Sequence, residues 1–214
     1  MKKFIALLAL AASFVQPAAA QQDPKAGKIL DQMSAKYQAM KAFKASFTQT
    51  LENQTAKVKE NMSGDILVSG TKFRLKLNGQ EVINDGKVMY AYDKSTNEVN
   101  VQDADQDDQE INPSQIYSLY KKGYKYTYAG TTKEAGVTCD VIELTPEDHN
   151  NQVYKVRLNV SQADKSVKSW KMFKKNGNRY TFAIKKFEPN VPVDATTFTF
   201  DKAKYKGVKV IDLR

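Results

Sequence analysis

Cysteine, histidine and tryptophan each occur once in this 214-residue chain, and proline only six times. One cysteine closes no disulfide within the chain. One histidine with one cysteine builds neither a His- or Cys-rich zinc site nor an iron–sulfur centre, although a site made of carboxylates alone stays open. Nucleophilic catalysis also has little to draw on. His149 sits in the polar stretch PEDHNN, and no Gly-x-Ser-x-Gly elbow accompanies it. Cys139 alternates with Val137 and Val141, which reads as a small packed side chain rather than a reactive thiol. Glycine loops that cradle phosphate are missing as well. The expectation is a protein that is not an enzyme and holds neither cofactor nor metal.

Long apolar runs are scarce too, and the one that stands out is at the N-terminus. Residues 1–20 read MKKFIALLALAASFVQPAAA: two lysines, an apolar stretch over 4–15, then small residues at Ala18 and Ala20. That order is the pattern of a cleavable secretory signal peptide, with an apolar core too short to span a bilayer. The expected mature chain is 21–214, exported and folded as one domain. Losing Lys2 and Lys3 lowers its formal charge from +9 to +7. Later in the chain, no stretch approaches the ~18 consecutive apolar residues of a spanning helix.

What the sequence does contain is periodicity. Over 23–41 the apolar residues Ala26, Ile29, Leu30, Met33, Tyr37 and Met40 fall three and four apart, which is one stripe of a helix. Asp23 before Pro24 supplies an N-cap and a proline at the first helical position. The period then changes to two. Strands are predicted at 43–52, 62–68, 72–77, 81–83, 87–93, 97–102, 123–130, 136–144, 153–160, 165–175 and 179–187, with short ones at 198–200 and 208–211. Asn78-Gly79, Asp85-Gly86 and Asn176-Gly177 are hairpin turn signals. Between the two groups of strands, residues 103–110 hold five acids and no base, a solvated loop rather than a calcium loop in composition. After Asn112-Pro113 a short helix is predicted, with Ile116, Leu119 and Tyr120 on one face and Gly123 at its end. The economical fold is mainly β: one antiparallel sheet of about eleven strands curled into a full or partial barrel, with helices against one face or inside it.

Charge and aromatics are distributed unevenly. Residues 154–214 hold 15 Lys and Arg against 5 Asp and Glu. A basic outer face is the plain reading, and docking to anionic lipid or an acidic partner the sharper one. Nucleic acid is not an expected partner. Tyrosines recur at alternate positions, Tyr124, Tyr126 and Tyr128 on one strand face and Tyr90 with Tyr92 on another. A barrel-like sheet of this many strands can enclose more volume than its side chains fill, and such a space roofed by apolar helices suits an acyl chain.

An ordered set of segments carries a resemblance. ASFTQ (45–49), SGDILV (63–68), FRL (73–75), NDGKVMYAYD (84–93), NPSQIYSLY (112–120), FTFD (198–201) and GVKVID (207–212) follow an amphipathic first helix. In that order the chain resembles the periplasmic outer-membrane lipoprotein carrier (LolA) family. The resemblance implies an incomplete antiparallel β-barrel with an α-helical lid over an apolar cavity. It also implies a monomeric periplasmic chaperone. Such a protein receives acylated lipoproteins from an inner-membrane lipoprotein-releasing transporter and delivers them to the outer membrane, where an acceptor protein is possible. The alternative of the same fold is an envelope module that senses lipid or lipoprotein. Strand phase nominates Phe47, Leu51, Ile66, Phe73, Leu75, Tyr90 and Tyr92 as the acyl-binding cavity wall, and Ile29, Met33, Met40, Ile116 and Leu119 as the lid. One departure stands out. The typical carrier has an Arg-Pro pair after the strand matching GDILV, and that Arg helps hold the lid shut. Here those positions are Gly70-Thr71, and alternation places the nearby Lys72 and Arg74 on the polar face.

Overall fold

A computed structural model of the chain describes residues 22–104, 113–194 and 196–214. The expected signal segment and most of the acidic run 103–110 lie outside the described residues. The helix α1 spans Pro24–Gln38. Asp23 caps it: one carboxylate oxygen accepts from the backbone N–H groups of Lys25 and Ala26 at 2.9 and 3.2 Å. Ala26, Ile29, Leu30, Met33 and Tyr37 form its buried face.

Among the described residues, twelve strands make one sheet. The first six are β1 (Phe43–Asn53), β2 (Val58–Ser69), β3 (Lys72–Leu77), β4 (Gln80–Asn84), β5 (Val88–Asp93) and β6 (Glu98–Asp103). After the segment 113–121 come β7 (Tyr124–Glu134), β8 (Val137–Pro146), β9 (Val153–Ser161), β10 (Val167–Lys174), β11 (Arg179–Pro189) and β12 (Lys209–Asp212). Their order is β12-β6-β5-β4-β3-β2-β1-β11-β10-β9-β8-β7, antiparallel throughout except where β12 joins β6 in parallel. β12 and β7 remain unpaired with each other, so the barrel is incomplete, as the resemblance implied.

The strand expected at 198–200 is not formed, and two further details differ from expectation. The predicted short helix after Pro113 is a pair of 3₁₀ turns, Pro113–Gln115 and Leu119–Lys121. The spacing of Ile116, Leu119 and Tyr120 satisfies either geometry, because side chains three apart also line up in a 3₁₀ turn. The turns themselves also vary. Asn78 and Gly79 both have positive φ (43° and 87°), the two-residue turn their identity demands. Asp85-Gly86 instead opens a three-residue connection in which Asp85 Oδ1 accepts from the backbone N–H groups of Lys87 and Val88.

α1 packs across one face of the sheet, here the inner face, and the main core lies between them. Leu30, Met33, Ile142, Leu144, Val156 and Leu158 are fully enclosed there. Each such side chain contributes about 1.5–3 kcal/mol on burial. A second, smaller core sits on the outer face of β3–β6. There the C-terminal segment 196–212 crosses over Ile83, Val99 and Val101, bringing Phe198 and Val208 into the buried set.

Candidate functional site

Registers decide which nominated residues share a face. Phe47 pairs with Gly64, Ala45 with Ile66, Val68 with Phe73, and Ile66 with Leu75, so one continuous inner surface runs across β1, β2 and β3. Phe47, Ile66 and Phe73 are buried in the main core, and Leu75 packs against it half-buried. Gly64 is part of that wall because nothing larger fits. A Cβ there would meet Phe47 Cζ at 2.7 Å and the Lys76 carbonyl at 2.8 Å. Leu51 shares the phase but lies towards the far end of β1, half-buried opposite Tyr180 and Glu60.

Tyr90 and Tyr92 are on the other face. Asn84 pairs with Met89 and Val82 with Ala91, so Met89 and Ala91 follow the inner surface while Tyr90 opposes Ile83 and Tyr92 opposes Glu81. Their rings meet the C-terminal segment: Tyr90 stacks on Phe200 at 5.1 Å between centroids, and Tyr92 lies 4.7 Å from Tyr205. Among the nominated lid residues, Ile29, Met33, Ile116 and Leu119 are buried in the main core, and Met40 is half-buried against it.

The wall has a second half that the sequence reading did not nominate. Trp170, Ile184 and Phe187 of β10 and β11 face Phe47 and Ala45 around an apolar cavity of about 30 Å³, with Tyr37 and Tyr117 at its upper side. Trp170 stacks on Phe182 at 4.6 Å, and its indole Nε1 has no hydrogen-bond partner among the described residues. A bulge explains why alternation misleads here. Ser46 pairs with Lys186 and Phe47 with Ile184, so Lys185 is an extra residue and Ile184 and Phe187 both turn inward.

Above the cavity is an open groove of about 380 Å³, bordered by Met40, Val68, Gly70, Thr71, Gln115 and Lys122. Tyr37, Phe43 and Tyr117 line both spaces and separate them. Tyr117 stacks flat on Tyr37, with centroids 5.0 Å apart and planes 6° from parallel, and Phe43 meets Tyr37 edge-on at 5.4 Å. The Tyr37 hydroxyl accepts from the Val167 backbone N–H at 3.1 Å, and burial pushes its pKa up to about 12. Tyr120 donates to Asp31 Oδ1 at 2.6 Å; burial and that carboxylate both raise its phenol pKa. Two tyrosines thus hold the 113–121 segment on α1. At the other end of the groove, Gly70 (φ +60°) has nothing within 4 Å of where a Cβ would stand.

Arg74 is committed elsewhere. On the outer face its Nε donates to Glu81 Oε1 at 2.7 Å and its Nη1 to the Thr197 carbonyl at 3.1 Å. Tyr205 donates to the second Glu81 oxygen at 2.7 Å. Burial opposes ionisation of Glu81, yet the Arg74 and Tyr205 hydrogen bonds bring its pKa below the ordinary carboxylate range. Lys72 is exposed. Cys139 is buried, which raises its thiol pKa, and His149 is exposed in the β8–β9 loop.

The sequence profile described as outer membrane lipoprotein carrier protein LolA matches residues 38–201. This chain belongs to the LolA family. Among solved structures it is similar to an uncharacterised conserved protein from Thermus thermophilus, with a TM-score of 0.57 and 12% identity over 88% of this chain and 99% of that one. Weaker likenesses include a LolA superfamily protein from Nitrosomonas europaea, with a TM-score of 0.47 and 13% identity over 83% of this chain and 98% of that one. Another is the MucA/MucB complex of Pseudomonas aeruginosa, at 0.49 and 16% over 83% and 62%. No curated protein matches the chain. For a member of the LolA family the tyrosine contacts at the groove are informative, because they join the cover to itself without an arginine at position 70.

Proposed function

We propose that the protein is a periplasmic carrier. In this reading it receives acylated lipoproteins from an inner-membrane releasing transporter, shields their acyl chains between the inner sheet face and its cover, and delivers them to the outer membrane or an acceptor there. Residues 1–20 serve as the export signal and 21–214 as the working domain. Family membership supports this, but one observation carries it: the apolar cavity adjoins an open groove, and Tyr37, Phe43 and Tyr117 line both. Each methylene withdrawn from water is worth about 0.8 kcal/mol, so an acyl chain crosses an aqueous compartment only when enclosed. A cavity of about 30 Å³ has room for roughly one water. Ligand pockets usually enclose roughly 300–1,000 Å³. Loading therefore requires the 113–121 segment to part from α1, merging cavity and groove.

Trp170, the one tryptophan of the chain, lines the cavity and reports on loading directly. A lipopeptide with brominated acyl chains is expected to quench its fluorescence saturably, and the deacylated peptide to leave it unchanged. Membrane vesicles carrying a newly made lipoprotein should release it in soluble form when the protein is added. Unquenched Trp170 together with no released lipoprotein would overturn the carrier reading.

A further inference from the structure

Four of the 15 lysines and arginines in 154–214 gather at one place on the outer face of β9, β10 and β11. Phe173 alternates with the buried Met172 and points away from the core, opposite Lys155 on β9 and Arg179 on β11. Four cations surround its ring. Lys155 Nζ is 4.8 Å from the centroid, Lys171 Nζ 5.9 Å, and the Arg157 and Arg179 guanidinium carbons 6.0 Å each. Tyr154 lies 6.1 Å from the same ring. It is 46% exposed and is the one aromatic among the large apolar residues the described chain leaves exposed. Two carboxylates answer the four cations: Glu143 pairs with Lys155 and Arg157, and Glu52 with Lys171. The patch keeps a net positive charge. Four like charges around one ring repel one another, and cation–π attraction at an exposed site returns only about 0.5–1 kcal/mol each.

We propose that this patch docks the protein on the anionic phospholipid surface of a membrane. The proposal rests on the carrier reading, in which the protein must visit membranes to load and unload. Cations surrounding two upward-facing rings suit a lipid interface: aromatic rings settle at headgroup level while lysine and arginine meet phosphates. An acidic polypeptide fits the observations less well. Extended peptides dock at a sheet edge or in a groove. These strands lie inside the sheet rather than at its β12 and β7 edges, and the described cavities and grooves lie elsewhere.

The test uses the full chain, so that its N-terminal residues are common to every variant, with vesicles of equimolar phosphatidylglycerol and phosphatidylcholine or of phosphatidylcholine alone. Wild type is expected to sediment preferentially with the anionic vesicles, and added salt should abolish the preference. The variant Lys155→Gln/Arg179→Gln leaves Glu143 its Arg157 partner. It should bind anionic vesicles about thirty-fold more weakly, at about 1 kcal/mol per cation near the surface, with neutral vesicles unaffected. Glu143→Gln removes an opposing charge and should tighten binding about five-fold, a gain that misfolding does not produce. Equal wild-type binding to both vesicle types, or an unaltered double variant, would overturn the proposal. So would charge-dependent retention on polyglutamate with no vesicle preference. Trp170 quenching by brominated lipopeptide should persist in the double variant. Loss of quenching in wild type with vesicle preference intact would sink the carrier reading instead.

Discussion

On the inner face the cover consists of α1 and the 113–121 segment. Among the contacts that join those two pieces are the Tyr117–Tyr37 stack and the Tyr120–Asp31 hydrogen bond. On the outer face the cover is the C-terminal segment, held by the Arg74–Glu81–Tyr205 cluster, a run of stacked rings and a parallel strand. Both covers bury aromatic rings against the same sheet. The difference lies in what happens when each lifts. Parting the 113–121 segment from α1 separates Tyr117 from Tyr37 and joins two adjoining spaces; it also takes the Tyr120 hydroxyl from Asp31, a carboxylate that is already exposed to water. Lifting the C-terminal segment takes Tyr205 from Glu81 and a carbonyl from Arg74, polar groups that are already largely out of water. The first closure is inexpensive to open and the second is not. That is the arrangement expected when one face must admit a ligand and the other must hold the sheet rigid while it does.

Breaking the outer closure should therefore have the larger effect on stability. Arg74→Ala leaves Glu81, its side chain 14% exposed, facing Tyr205 without its guanidinium partner. Removing one member of a fully buried pair costs about 3–5 kcal/mol, and partial exposure brings the expected loss here to about 2–3 kcal/mol. Denaturant titration reads that loss, and hydrogen exchange should show β12 and 196–208 released while α1 stays protected. If acyl binding rather than stability responded to Arg74→Ala, the two faces would not be separate devices. The inner closure should behave in the opposite sense. Tyr117→Ala removes a stacked ring at an expected cost of about 1 kcal/mol to folding. It also weakens the closed state that competes with ligand, so quenching of Trp170 by brominated lipopeptide should occur at lower concentration, about five-fold. Weaker binding would mean that Tyr117 grips the acyl chain rather than closing over it.

Much of this was legible in the sequence. α1 announces itself through Asp23-Pro24 and its apolar stripe, and the inner phase of β1 to β3 follows from Phe43, Ala45, Phe47, Ile66, Phe73 and Leu75 alternating with polar residues. The phase was lost at β5, and the reason is chemical. VMYAYD offers apolar side chains on both faces, because the strand is covered on both, so alternation has no polar side to point to solvent. Tyr90 and Tyr92 are the bulkier set and drew the nomination, yet the pairing of Asn84 with Met89 puts the smaller set inside. The far wall escaped for a different reason. Ile184 and Phe187 are three apart, out of phase for a regular strand, and only the bulge at Lys185 reconciles them. Trp170 and Met172 alternate plainly within β10, and that signal was available. What joins the cover to itself, Tyr117 to Tyr37 and Tyr120 to Asp31, spans about eighty to ninety residues of sequence and leaves no local pattern at all.

Alkaline pH acts on both closures through their buried tyrosines, with little effect at neutrality. Tyr37 in the inner cover and Tyr205 in the outer one both have pKa values raised from 10.0 to about 12. Burial is the main cause for each. At Tyr205 the hydrogen bond to Glu81 adds to it, whereas at Tyr37 the N–H of Val167 works against it. Below pH 10 both phenols are protonated in the folded and unfolded chains alike, and the stability they contribute is fully present. Between about pH 10 and 12 the unfolded chain releases the protons of these two phenols, among others, while the folded chain retains them, so stability falls as pH rises through that window. Denaturation midpoints measured from pH 8 to 12 should decline in wild type. The decline should be shallower in Tyr37→Phe and in Tyr205→Phe, and shallowest in the double variant. The two single variants separate the closures: with Tyr205→Phe, the remaining decline should coincide with easier quenching of Trp170, because ionising Tyr37 weakens the inner cover. With Tyr37→Phe the part of the remaining decline that Tyr205 contributes should appear as release of β12. A decline identical in all four proteins would mean that neither phenol is held protonated by its closure.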